Sequence, residues 1–230
     1  MGDVYLARDP RLGHGAMPIE EALAIARQIA EGLEAAHEKG IIHRDLKPAN
    51  VKVRSDGSVK LLDFGLARIC EEGPAGGRGA ALTQTPTMSV RMTEAGHIVG
   101  TAAYMPPEQA RGKPVDKRCD IWAFGCVLYE MLTGRLAFPG ATVSDTIAKI
   151  LEREPDWSAL PAATPAPVRR LLLRCLTKDL RQRMRDIGDV RIEIGAIGEV
   201  LPGVSEVRMA PAVEEAPPNG STKKKPEARA

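Results

Sequence analysis

The chain of 230 residues is poor in several things a protein can be built from. Aromatic residues make up only 3%, so the core must rest on Leu, Ile, Val and Ala. No apolar run approaches the ~18 residues of a membrane span, and no signal-peptide pattern opens the sequence. The prediction is a cytoplasmic protein without a membrane segment. Excess charge is also missing: 32 basic and 30 acidic residues leave a net +2. That balance argues against nucleic acid or an anionic membrane as partner, and Lys223-Lys224-Lys225 reads as a solvated stretch. Cysteines number four, at positions 70, 119, 126 and 175, without metal-ligand or disulfide-framework spacing. They are expected as reduced, mostly buried thiols. No lysine precedes Lys39.

What is present is concentrated in two short motifs. His43-Arg44-Asp45-Leu46-Lys47-Pro48-Ala49-Asn50 follows a helical pattern in which Leu23, Ala26, Ala30, Leu33 and His37 recur until Gly40. Pro18 stands at the expected first helical position, with Glu20 and Glu21 in the opening turn. Ile41-Ile42 reads as a short strand. Val51–Arg54 and Val59–Leu62 flank Ser55-Asp56-Gly57-Ser58, a strong hairpin signal. The hairpin leads to Asp63-Phe64-Gly65, so one ribbon would hold Asn50 at its start and Asp63 at its end. Pro106-Pro107-Glu108 follows later. Residues 120–132 form the most apolar helical stretch, closed by Gly134, and further helices are expected near 143–153, 165–177 and 186–199.

Together these motifs resemble the serine/threonine protein kinases, especially their bacterial branch: H-R-D-L-x-x-x-N, then D-F-G, then a PPE triplet. The resemblance covers nearly all of residues 1–200. It implies an α+β, protein-kinase-like fold, mainly the helical large lobe over 18–200 with short β-hairpins. It implies ATP and Mg²⁺ as cofactors, and transfer of the ATP γ-phosphate to Ser or Thr hydroxyls of protein substrates. Asp45 is the expected hydroxyl-orienting acceptor. Lys47 matches the lysine that approaches the transferred phosphate, and it favours Ser/Thr over Tyr specificity. Thr101 matches the threonine that contacts this pair. Asn50 and Asp63 are the expected magnesium ligands, being oxygen donors of the kind that ion prefers. Arg44 matches the arginine that senses an activation-segment phosphate. The activation segment is expected over 63–108. Residues 71–97, rich in Gly, Thr, Ser and Pro, read as a mobile insert carrying candidate phosphosites at Thr83, Thr85, Thr87, Ser89 and Thr93. Glu108 and Arg183 are expected as a buried structural ion pair, and Asp120 as the anchor of the catalytic loop's backbone. Pro106 replaces the family's usual alanine or serine, and Leu180 stands where proline is common. From residue 201 the composition shifts to Pro, Glu, Ala and Lys, a tail expected to be disordered.

One part of the family pattern is absent. Gly2 and Val4, in Met1-Gly2-Asp3-Val4-Tyr5-Leu6-Ala7, resemble the end of the glycine-rich loop and are the candidate nucleotide contacts there. Residues 1–17 are then all that corresponds to a small lobe. Between His14 and Pro18 stand only Gly15, Ala16 and Met17, which extend roughly 10 Å at most. That is too short for the strands, helix and ATP-binding lysine that should follow. Three readings stay open: a kinase whose small lobe a partner chain or upstream residues supply, a non-catalytic pseudokinase acting as an interaction module, and a decayed kinase fragment.

Overall fold

The computed structural model describes residues 15–64 and 102–200. Gly2, Val4, Cys70, Thr101, the five candidate phosphosites, the insert and the tail lie outside the described residues. Within them the order is helix α1 (Ile19–His37), a 3₁₀ turn (Pro48–Asn50), strands β1 (Val51–Val53) and β2 (Val59–Leu61), and helix α2 (Pro107–Ala110). Helices α3 (Arg118–Thr133) and α4 (Val143–Glu152), a second 3₁₀ turn (Trp157–Ala159), and helices α5 (Ala166–Cys175) and α6 (Ile187–Val200) complete it. The two strands pair antiparallel, with Lys52 opposite Lys60.

Helix α1 forms because its apolar residues recur on one face: Ala22, Leu23, Ile25, Ala26, Ile29, Ala30 and Leu33 are all buried. Pro18 is its N-cap rather than its first residue, and its carbonyl takes the Ala22 amide at 2.9 Å. The expected strand at Ile41-Ile42 does not form. The Ile41 amide turns back to the Ala36 carbonyl at 2.9 Å, so the helix end consumes the donor a ladder would need. A single bridge residue at Ile41 is what remains.

Helix α3 is the axis of the core, buried continuously from Cys119 to Leu132. Helices α1 and α5 pack against it, and α6 closes over α1 and α5. The few aromatics gather here: Trp122 stacks on Phe138 at 5.4 Å, and Tyr129 meets Trp157 edge-on at 6.2 Å. Gly134 ends α3 with φ 67, a left-handed turn that glycine adopts without penalty. A Cβ there would also lie 2.7 Å from the Ala16 amide nitrogen, so the entry to α1 requires glycine for a second reason.

The expected ion pair spans this core. Arg183, 1% exposed, reaches Glu108, 4% exposed, through two hydrogen bonds of 2.8 and 3.0 Å. Its Nε donates to the Thr177 carbonyl at 2.8 Å, Nη1 also reaches the Arg118 carbonyl at 3.2 Å, and the guanidinium lies 5.0 Å from the Trp122 ring centre. A buried charge is tolerated when its donors are satisfied in this way. Removing one partner leaves the other uncompensated, so Arg183→Ala should lower unfolding free energy by about 3–5 kcal/mol. Urea denaturation monitored by circular dichroism measures it, and an unchanged midpoint would contradict the assignment.

Cys119, Cys126 and Cys175 are free, buried thiols, as expected. Burial pushes all three well above the ordinary thiol value of 9.0, Cys175 to about 12, because a thiolate cannot be solvated in the core. Well below pH 9 the thiols are neutral in both states. Above it the unfolded chain loses these protons first, so stability falls as pH rises between about 9 and 12. The expected loss by pH 10 is about 1.4 kcal/mol per thiol. Substituting all three by Ala should flatten the decline of unfolding free energy between pH 8.5 and 10; an equal slope would refute the account.

Candidate active site

The loop of residues 43–47 enters a short 3₁₀ turn at Pro48–Asn50 and continues directly into β1. Pro48 starts the turn with φ already set. Two residues at this site hold left-handed backbone without being glycine: Arg44 with φ 65 and Asp63 with φ 56. Such conformations cost about 1–3 kcal/mol each and persist only where neighbours enforce them.

For Arg44 the enforcing group is Asp120, in the first turn of α3 and 0% exposed. Its Oδ2 accepts the His43 backbone amide and its Oδ1 the Arg44 amide, both at 2.8 Å. His37 Nε2 adds a third bond to Oδ2 at 2.8 Å, from a side chain 5% exposed. A carboxylate only accepts, so that nitrogen carries the proton. Asp120 is therefore more than a helix-terminal acid: it serves another segment's backbone, and His37 braces it.

His43 lies on the other side of the loop, fully buried. Its Nε2 donates to the Leu62 carbonyl at 3.0 Å, which leaves Nδ1 to accept from the Asp45 amide at 3.4 Å. Its ring packs against Phe64 at 4.5 Å between centres. The Leu62 amide in turn donates to the Asn50 carbonyl at 2.8 Å. Through these contacts the residue preceding Asp63 is tied both to the loop and to Asn50.

Asp45 is partly buried, and Lys47 Nζ lies 2.7 Å from its Oδ2. Asn50, 4% exposed, donates from Nδ2 to the Asp45 carbonyl at 2.7 Å and to Asp45 Oδ2 at 3.2 Å. Both bonds commit the amide nitrogen and leave Asn50 Oδ1 as the group's acceptor atom. Asp63 is exposed at the hairpin's end. Among the described residues no cluster of three or more His, Cys, Asp or Glu could hold a metal ion. An amide oxygen and one carboxylate suit a magnesium ion that keeps water and phosphate oxygens, rather than one caged by protein. Arg44 Nε is buried and, among the described residues, has no hydrogen-bond partner.

The structure thus brings Asp45, Lys47 and Asn50 into direct contact, with Asp63 one residue beyond the Leu62 tie. Glu108 and Arg183 stand apart as the core pair. Sequence reasoning took His37 only as part of a helical stripe and missed Gln28 altogether. For His37 the available signal was a polar residue on the buried face of α1; Gln28 lies off that face and gave none.

A profile of the protein kinase domain matches residues 6–187. The chain belongs to the protein kinase family. It is 35% identical over 182 residues to a probable serine/threonine-protein kinase PknB of Corynebacterium glutamicum, covering 77% of this chain and 26% of that protein. It is 34% identical over 214 residues to the serine/threonine-protein kinase pkn2 of Myxococcus xanthus, covering 90% of this chain and 24% of that one. The serine/threonine-protein kinase PknB of Mycobacterium tuberculosis is 34% identical over 193 residues, covering 84% and 28%. The chain therefore spans about a quarter of the length of these relatives. The kinase family generally uses ATP and Mg²⁺. No helix among the described residues is long and apolar enough to cross a membrane.

The Asp120 bonds generate a prediction. Asp120→Asn offers one acceptor oxygen in place of two and leaves a loop amide unpaired. Losing a hydrogen bond to a charged group should cost about 1.5–3 kcal/mol. Exchange of the His43 and Arg44 amides should accelerate more than that of Val127 in the core of α3. Uniform acceleration would show that Asp120 stabilises the helix and not the loop.

Proposed function

We propose that this chain carries the large-lobe half of a serine/threonine protein kinase site and transfers the ATP γ-phosphate to protein hydroxyls when a small lobe completes it. The observation that carries the reading is the Asn50 amide, whose nitrogen holds Asp45 while its oxygen is left for a cation. Asp45 orients the acceptor hydroxyl, and Lys47 keeps that carboxylate in place and offers a positive charge to the transferring phosphate. Asn50 Oδ1 and the Asp63 carboxylate would hold magnesium, whose chemistry is to neutralise phosphate charge. Arg44, with its buried unpartnered Nε, is suited to a phosphate on the activation segment. Substrates are proteins with Ser or Thr acceptors. The small lobe comes from a partner chain or from residues upstream of this sequence. Free buried thiols agree with a cytoplasmic setting.

The lack of any lysine before Lys39 favours a second reading, a non-catalytic interaction module of the same fold. Calorimetric titration of the folded chain with Mg–ATP separates the two. The first reading expects saturable binding that Asp63→Ala abolishes and, once a small lobe is supplied, phosphotransfer that Asp45→Asn slows by about 10²–10⁴-fold. Heat indistinguishable from dilution leaves the second.

A further inference from the structure

The hairpin that links Asn50 to Asp63 contains two strands of three residues, too little to hold its own position. Its register shows where help is needed. The Arg54 amide donates to the Ser58 carbonyl, and the Leu62 amide to the Asn50 carbonyl, both at 2.8 Å. In an antiparallel pair the backbone groups alternate in direction. Residues 58, 60 and 62 therefore direct theirs at β1, while those of 57 and 59 point to the other edge.

That edge is met by one side chain. Gln28, on α1, accepts the Val59 amide on Oε1 and donates from Nε2 to the Gly57 carbonyl, both at 3.0 Å. The carboxamide thus takes the place of a third strand over one repeat. One turn further along the same face, Gly32 clears space for the strand. A Cβ at Gly32 would lie 3.0 Å from Leu61 Cδ1, tighter than ordinary contact. Glycine inside a helix is less favourable than alanine, and Leu61 is what occupies the space it leaves. Gln28 and Gly32 lie at i and i+4, so they form one seat on α1.

We propose that Gln28 is a positioning residue for the metal-ligand ribbon. Seated beside Gly32, it fixes β2 on α1, and through the Leu62–Asn50 bond it sets where Asp63 stands relative to Asn50 and Asp45. The proposal rests on the reading of Asn50 and Asp63 as magnesium ligands given above, but the seat is judged separately from it.

The test compares wild type, Gln28→Met and Gln28→Ala in the full chain. Methionine retains the length and packing of glutamine and lacks both hydrogen-bonding groups. Amide exchange by NMR should speed up about tenfold or more at Val59 and Leu62 in both variants, with Ile29 of α1 and Val127 of α3 within about twofold of wild type. In the same samples the Mg²⁺ concentration needed for half-maximal ATP binding should rise severalfold, while ATP binding without metal stays the same. Faster exchange at Val59 with none at Leu62 would overturn the proposal, because the seat would then not reach the ligand row. Equal acceleration everywhere would overturn it too, as would an unchanged Mg²⁺ requirement. Wild type that shows no metal-dependent ATP binding would defeat the kinase reading, and the exchange pattern would still decide whether Gln28 holds Leu62 and Asn50 together.

Discussion

A carboxylate with no exposure to water needs partners for its lone pairs, and Asp120 finds them in a segment 76–83 residues away. The amides of His43 and Arg44 are donors that a left-handed turn removes from any local ladder. Each side therefore satisfies the other: the buried charge is solvated by the loop's amides, and the loop is held in a conformation it would not choose. Since α3 is the most buried element, the loop inherits the rigidity of the core. Asp45, Lys47 and Asn50 are placed by that inheritance and not by contacts of their own strength. The Lys47–Asp45 pair is partly exposed, where an ion pair contributes about 1 kcal/mol or less.

The Glu108–Arg183 pair obeys the same rule at the other side of α3. A guanidinium has five donors in a fixed plane. Here they go to one carboxylate and to backbone carbonyls at Thr177 and Arg118, with the Trp122 face beside it. The pair ties α2 to the segment before α6. Buried charges thus do in this fold what the scarce aromatics cannot: they join elements at defined angles where hydrophobic contact alone would permit sliding.

Legibility from sequence follows from distance along the chain. The hairpin and the helix ends were readable because turn and capping chemistry is local: Ser55-Asp56-Gly57-Ser58, Pro18 and Gly134 each declare themselves. The Asp120 and Glu108–Arg183 contacts are long-range, and they were foreseen through the family motifs rather than through any periodicity. Where motif and periodicity were both silent, the reading missed. His37 falls at helical spacing among apolar residues and passes for core, although its nitrogen braces Asp120. Gln28 reads as a solvated helix position until a strand 29–31 residues later is laid on it. The Ile41-Ile42 strand failed for the opposite reason: two β-branched residues suggest a strand, but the end of α1 had already claimed the Ile41 amide.

The arrangement also bears on what a large lobe can do by itself. Among the described residues, the contacts that fix Asn50, Asp45 and the approach to Asp63 come from the loop of residues 43–47, from α3 and from the hairpin with its seat on α1, all within residues 15–64 and 118–133. None needs a group from a nucleotide-covering lobe. The Asn50 and Asp63 oxygens that the proposal assigns to a metal are thus held by the protein itself, which is the condition under which binding costs least reorganisation. Phosphoryl transfer also draws on a clamp on the phosphates. Losing such a clamp raises the transition state relative to the bound state, each 1.4 kcal/mol being tenfold in rate. The placement of Asn50 and Asp63, set by the loop, α3 and the hairpin on α1, is therefore separable from that contribution.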